Sequence, residues 1–254
     1  MRVEPRELRD ADDAAQAETL AAAIAAALAA ALTRRPAASL VVSGGGTPRA
    51  MYTQLALHKL DWPRVQITLA DERWVATDDE ASNERMVRES LLRDGAAGAR
   101  FIGLKNDAAT PAQGVATAWS ALGAMSRPFD AVVLGMGDDG HVASLFPGSA
   151  ELAAGLDVRS PPGCIAVQSQ AVSHARLSLN LAALLQSRRV FVQIIGAQKW
   201  QAYERARRAG PVAAMPIRAI LRQSAVPVDV YWCPDPPAHS AAAKACAASA
   251  RDIE

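Results

Sequence analysis

The stretch from Phe129 to Gly148, FDAVVLGMGDDGHVASLFPG, constrains this chain more than any other. Its first half, Phe129 to Leu134, is a short apolar run with β-branched residues that stops at Gly135, Gly137 and Gly140, the pattern of a buried strand feeding a tight loop. His141 stands at the mouth of that loop. In an open parallel sheet, ligands collect beyond the carboxyl ends of the strands, which is where such a histidine would be available for proton transfer. A plain Gly-Asp turn with one solvated histidine has the same local signature, so the rest of the chain has to decide between the two.

At 254 residues, half of them apolar and 21% charged, the chain can bury a large core, and no linker-like segment divides it. One domain over residues 1–254 is expected. With 27 basic and 26 acidic residues the net charge is +1, so no polyanion-binding surface is indicated and any anion is bound locally. Cys164, Cys233 and Cys246 are odd in number, widely spaced and free of a C-x-x-C pair. They predict neither a disulfide framework nor a zinc site, and they fit a reducing, cytoplasmic compartment.

The run Leu20 to Leu32, LAAAIAAALAAAL, invites confusion with a signal sequence or membrane span. Asp10, Asp12, Asp13 and Glu18 precede it where a signal peptide carries positive charge, and the run by itself is too short for ~30 Å of hydrocarbon. Leu20, Ile24, Leu28 and Leu32 recur at i+4, which predicts one apolar helix stripe lying on a sheet, closed by Arg34, Arg35 and Pro36.

Two further stretches repeat the strand–turn pattern. Leu40 to Val42 reads as a strand, Ser43 to Thr47 as a glycine-rich turn and Pro48 as the first residue of a helix through Met51, Leu55 and Leu57. Glycines admit an anion to backbone N–H groups, Ser43 and Thr47 add hydroxyls, and the helix N-terminus adds favourable partial charge, so phosphate is the natural guest. The turn is neither a Walker A loop nor a dinucleotide fingerprint, and a ligand-free βα turn would look the same. Val65 to Leu69 reads as another strand, with Asp71, Glu72, Arg73 and Trp74 in a loop at its end and Ser82 or Asn83 capping the next helix. Arginine offers a donor fork matched to phosphate or carboxylate, although such charge clusters are commonly solvated loops.

Farther along, Arg100–Leu104, Ile165–Gln168, Arg176–Leu179, Arg189–Ile195 and Val228–Trp232 read as strands or short extended segments. Val115–Leu122 and the Ala-rich tail Ala238–Ala250 read as helices. The turn Gly196-Ala197-Gln198-Lys199 puts a lysine into a helix first turn, against the macrodipole, which an anion bound there would explain. Strands alternating with helices predict a three-layer α/β/α domain with a mainly parallel, Rossmann-like sheet, and the Ser43 turn, Arg73, His141 and Lys199 should meet in one cleft.

The combination SGGGTP (Ser43 to Pro48), DERW (Asp71 to Trp74), GMGDDGHVASLFPG (Gly135 to Gly148), RLSL (Arg176 to Leu179) and GAQK (Gly196 to Lys199) resembles the 6-phosphogluconolactonase family over nearly the whole chain. That family shares its superfold with glucosamine-6-phosphate deaminase, ribose-5-phosphate isomerase and the CoA transferases. The resemblance implies hydrolysis of 6-phospho-D-glucono-1,5-lactone to 6-phospho-D-gluconate, the second step of the oxidative pentose phosphate pathway. It also implies a small sugar-phosphate substrate, no metal or organic cofactor, no nucleic acid or membrane partner, and a monomer or small homo-oligomer.

Ester hydrolysis needs a base near neutral pKa and a donor for the oxyanion. On this reading His141 is the base, Asp139 orients it, and Arg73 holds the substrate or the developing charge. Ser43, Gly44, Gly45, Thr47 and Lys199 hold the 6-phosphate, with Arg176 assisting. Spacing leaves open whether Asp138 or Asp139 turns toward His141. The related deaminases carry a glutamate shortly after the histidine, where this chain has Ser144-Leu145-Phe146-Pro147. A non-catalytic sugar-phosphate sensor is the alternative of another class, and Val142 departs from a pattern that more often shows threonine.

Overall fold

The computed structural model describes residues 4–168 and 172–235; the expected tail helix Ala238–Ala250 lies outside them. Ten strands occur among the described residues: β1 (Arg6–Arg9), β2 (Ala38–Val42), β3 (Val65–Leu69), β4 (Asp71–Arg73), β5 (Arg100–Ile102), β6 (Ala131–Gly135), β7 (Cys164–Val167), β8 (Arg176–Leu179), β9 (Val190–Ile195) and β10 (Val228–Cys233). The helices are α1 (Asp13–Leu32), α2 (Arg49–Ala56), α3 (Asn83–Ser90), α4 (Pro111–Ala121), α5 (Leu152–Leu156), α6 (Leu181–Leu185), α7 (Ala197–Arg207) and α8 (Ile217–Arg222).

Seven strands form one parallel sheet in the order β1-β10-β9-β6-β2-β3-β5. From β2 the chain steps outward to β3 and β5, then returns to lay β6 on the other side of β2. The order therefore reverses between β2 and β6, and neighbouring connections leave a crevice at the carboxyl ends of those two strands. The Ser43 turn follows one of them and the His141 loop the other. All five residues of β2 are buried, as are the first five of β9, because helices cover both faces of a parallel sheet.

The N-terminal helix is longer than the sequence suggests. It starts at Asp13, where the Asp12 carboxylate accepts a hydrogen bond from the Ala15 N–H at 2.9 Å, and runs 20 residues. At 1.5 Å per residue that length would reach across a bilayer, so the argument from shortness fails. Packing places the helix instead: Leu20, Ile24 and Leu28 are fully buried against the core, each contributing about 1.5–3 kcal/mol. The Gln16 amide reaches across to donate to the Ile194 carbonyl at 3.1 Å.

A second sheet was not expected. β4, β8 and β7 form an antiparallel trio in that order, so the segment expected as a DERW loop is in part a strand. β4 begins one residue after β3, and the intervening Ala70 bonds to both sheets, donating to Val42 and accepting from Leu179. Three residues are too few to show a period in the sequence; β8 across the pair supplies the ladder.

Candidate active site

The crevice beyond β2 and β6 is a cleft of about 220 Å³, and eight of the nine residues picked out in the sequence line it: Ser43, Gly44, Gly45, Thr47, Arg73, His141, Arg176 and Lys199. The ninth, Asp139, stands behind His141. Asp71, Asn83, Ala143 and Gln193, to which sequence reasoning gave no role in the site, also line the cleft, together with Pro48 and Gly135 to Gly137.

The loop after β6 turns His141 and Asp139 toward each other. The Asp139 Oδ1 lies 2.7 Å from His141 Nδ1 and also accepts the His141 backbone N–H at 3.0 Å. This fixes the ring and leaves Nε2 as the nitrogen not committed to Asp139. Gly137 makes the pairing possible, since a Cβ there would overlap both the imidazole and the Asp139 carboxylate. Phe146 packs on the imidazole with ring centroids 4.6 Å apart. Next to the histidine, Ala143 lies in the left-handed region at φ 49°, a costly conformation for a residue with a Cβ.

Burial works against the Asp139 charge, but the backbone and ring of His141 outweigh it and hold the carboxyl below its ordinary value. A carboxyl depressed in the folded state adds stability above its unfolded pKa and loses it as pH falls through the folded one. The stability difference between wild type and Asp139→Asn should therefore be present at pH 7, begin to shrink as the pH falls past about 4, and be gone only below the lowered folded-state pKa. Because Asp139 is half exposed, the difference should stay under about 1 kcal/mol. Urea titrations at several pH values would measure it; a difference that persisted unchanged at pH 3 would contradict the pairing.

Asp138 faces the other way. Its Oδ1 lies 3.3 Å from Lys199 Nζ and its Oδ2 accepts from Gln198 Nε2 at 3.0 Å, both on α7. The helix-dipole argument for an anion at Lys199 loses its force, because protein carboxylates already meet this helix start: Asp138 pairs with the lysine, and Asp235 accepts the Ala197 N–H at 2.9 Å.

The DERW segment divides its work. Buried Glu72 accepts the backbone N–H groups of Arg73, Asn83 and Glu84, each at 2.7 Å, and the Ser82 hydroxyl at 3.1 Å, so it closes the first turn of α3. Burial pushes its carboxyl up, and those N–H donors pull the other way. Ser82, one of the two expected caps, accepts from Arg85 N–H at 3.1 Å. Asp71 accepts from Ser144 Oγ at 2.5 Å and lies 3.6 Å from Arg176 Nη1.

Arg73 and Arg176 sit opposite each other in the β4–β8 register. Burial works against the charge of Arg176, Asp71 partly restores it, and Arg73 opposes it again. The Nε atoms of both arginines are buried without a hydrogen-bond partner. Arg73 Nη1 donates to the Ala81 carbonyl at 2.5 Å, so of the two arginines Asp71 pairs with Arg176 alone, and two guanidiniums on facing strands beside one carboxylate favour an added anion.

On the β2 side, Gly44 touches the Asn83 amide so closely that a Cβ would overlap it. Asp12, Ser82, Thr110 and Asn180 cap α1, α3, α4 and α6 with side-chain bonds, whereas α2 starts at Pro48 with none. The Arg49 N–H donates to the Gly46 carbonyl at 3.4 Å, and Thr47 and Pro48 at this uncapped end line the cleft. No group of three or more His, Cys, Asp or Glu suited to a metal occurs among the described residues.

The family model described as glucosamine-6-phosphate isomerases/6-phosphogluconolactonase matches residues 11–232. The chain belongs to this family. A 6-phosphogluconolactonase of Rhizobium meliloti is 42% identical over 221 residues, covering 87% of this chain and 95% of that protein. The Pseudomonas aeruginosa 6-phosphogluconolactonase is 41% identical over 221 residues, covering 87% and 92%. A crystal structure of a 6-phosphogluconolactonase from Shewanella baltica superposes with a TM-score of 0.88 at 45% identity, covering 91% of this chain and 98% of that one. Within the family, the mainly parallel three-layer architecture is the shared frame, and the cleft described above lies at its switch point.

Proposed function

We propose that the cleft hydrolyses 6-phospho-D-glucono-1,5-lactone to 6-phospho-D-gluconate, as a cytoplasmic enzyme of sugar-phosphate metabolism built as one domain. The observation that carries this reading is the meeting of a carboxylate-oriented histidine with three cationic side chains in one cleft, in a chain of this family.

His141 takes a proton from water as the oxygen attacks C1. The C1 carbonyl becomes an oxyanion, which Arg73 stabilises or holds in place. When the tetrahedral intermediate collapses, the C1–ring oxygen bond breaks and His141 returns the proton to the departing oxygen. Asp139 keeps the imidazole oriented throughout. The 6-phosphate is held by the Ser43-Gly44-Gly45 turn, Thr47 and the open end of α2, with Lys199 from one side and Arg176 assisting. The reaction needs no metal or organic cofactor. The protein acts on a small molecule, without nucleic acid or membrane, as a monomer or small homo-oligomer.

The test is turnover of freshly generated lactone, read as 6-phosphogluconate through a coupled dehydrogenase with spontaneous hydrolysis subtracted. No acceleration over background would end this reading, and ammonium release from glucosamine 6-phosphate would then point to deaminase chemistry. Lys199→Ala tests the phosphate site separately. Since the phosphate is remote from C1 and bound alike in ground and transition states, KM should rise about ten-fold or more with kcat less affected. An unchanged KM would remove Lys199 from the site.

A further inference from the structure

We infer that Asp138 is a positioning residue that holds the Lys199 ammonium ready for the substrate phosphate and ties the histidine loop to α7. The inference rests on Lys199 being the phosphate anchor. Three contacts converge on Asp138 from that helix: Lys199 Nζ at 3.3 Å and Gln198 Nε2 at 3.0 Å reach its two carboxylate oxygens, and Arg205 Nη2 donates to its carbonyl at 3.1 Å.

Lys199 Nζ also donates to the Met136 carbonyl at 2.8 Å. An ammonium has three N–H donors. Two are fixed by Met136 and Asp138, both on the loop that carries His141, and the third is left for a ligand in the cleft that Lys199 lines. A lysine on a flexible four-carbon stem loses rotamer freedom when it grips a ligand; the loop removes much of that freedom beforehand. The same two contacts fix the distance between the lysine and the base, so the two ends of the substrate are gripped by one loop. Asp139 and Asp138, adjacent in sequence, thus serve opposite ends of the site.

Asp138 is half exposed, which limits the coupling to that of a solvent-facing ion pair. Asp138→Ala should raise KM about five-fold, more than it lowers kcat, and should raise the inhibition constant of inorganic phosphate by a similar factor. Asp138→Glu, which keeps the charge, should recover part of the loss. In a double-mutant cycle the Asp138→Ala effect on KM should vanish in a Lys199→Ala background.

A merely structural role would lower thermal stability without moving KM or phosphate inhibition. An unchanged KM in Asp138→Ala overturns the inference, as does an effect of equal size with and without Lys199. A lowered KM overturns it as well, since Asp138 would then be competing with the phosphate for the lysine. If Lys199→Ala itself leaves KM unchanged, the anchor and the positioning role fall together, whereas a raised KM there with none in Asp138→Ala removes the positioning role alone.

Discussion

His141→Ala is expected to lower kcat for lactone hydrolysis by about three orders of magnitude and to leave KM within a few-fold of wild type. The imidazole is oriented by Asp139 and backed by Phe146, while the cations that would grip the substrate stand on other elements: Arg73 on β4, Arg176 on β8 and Lys199 on α7. Removing the ring should therefore take away proton transfer and little else. The arginines and the turn after β2 remain to bind the lactone, so some acceleration over the spontaneous reaction should survive. Steady-state kinetics with background hydrolysis subtracted decides the matter. A variant within about ten-fold of wild type would mean that some other group takes the proton.

The largest effect on stability is expected from Glu72→Ala. This carboxylate is 1% exposed and accepts three backbone N–H groups and the Ser82 hydroxyl. Truncation leaves those donors buried without an acceptor, a loss of about 3–5 kcal/mol. For a chain of this size that corresponds to a fall in Tm of about 10 °C. Glu72→Gln should lose less, because one amide oxygen still accepts while the amide nitrogen turns a donor toward other donors. Activity should suffer in both variants, since α3 carries Asn83, whose amide packs on Gly44 in the cleft wall and donates to the Asp71 carbonyl at 2.9 Å. Thermal melts by circular dichroism measure the first claim; a shift below about 2 °C would show that the α3 terminus is satisfied without Glu72.

These two residues show how differently the sequence speaks about neighbouring functions. The place of His141 in the cleft was legible because an apolar run that stops in glycines marks a strand end locally, although a plain turn has the same signature and only the other strand ends set the two apart. Glu72 stood in plain view within DERW, yet its task could not be read, because its partners Asn83 and Glu84 become neighbours only when α3 folds back on β4. Gln193 was hidden more completely. It interrupts an otherwise apolar strand, a signal that could have marked it, but its amide is held by Gln16, 177 positions away.

The sequence by itself determined the strand–turn–helix order, the parallel character of the main sheet and the identity of the groups at its strand ends, because hydrophobic period and glycine placement act over a few residues. Tertiary structure alone decided the rest. It set β4 against β8 so that Arg73 faces Arg176, and it laid α1 along the core, where Leu20, Ile24 and Leu28 are fully buried. It also turned Asp139 to His141 and Asp138 to Lys199, a choice between adjacent identical carboxylates that rests on the course of one loop and on the helix packed beside it. Side-chain chemistry is written locally, whereas the direction in which a side chain acts depends on what the fold brings next to it.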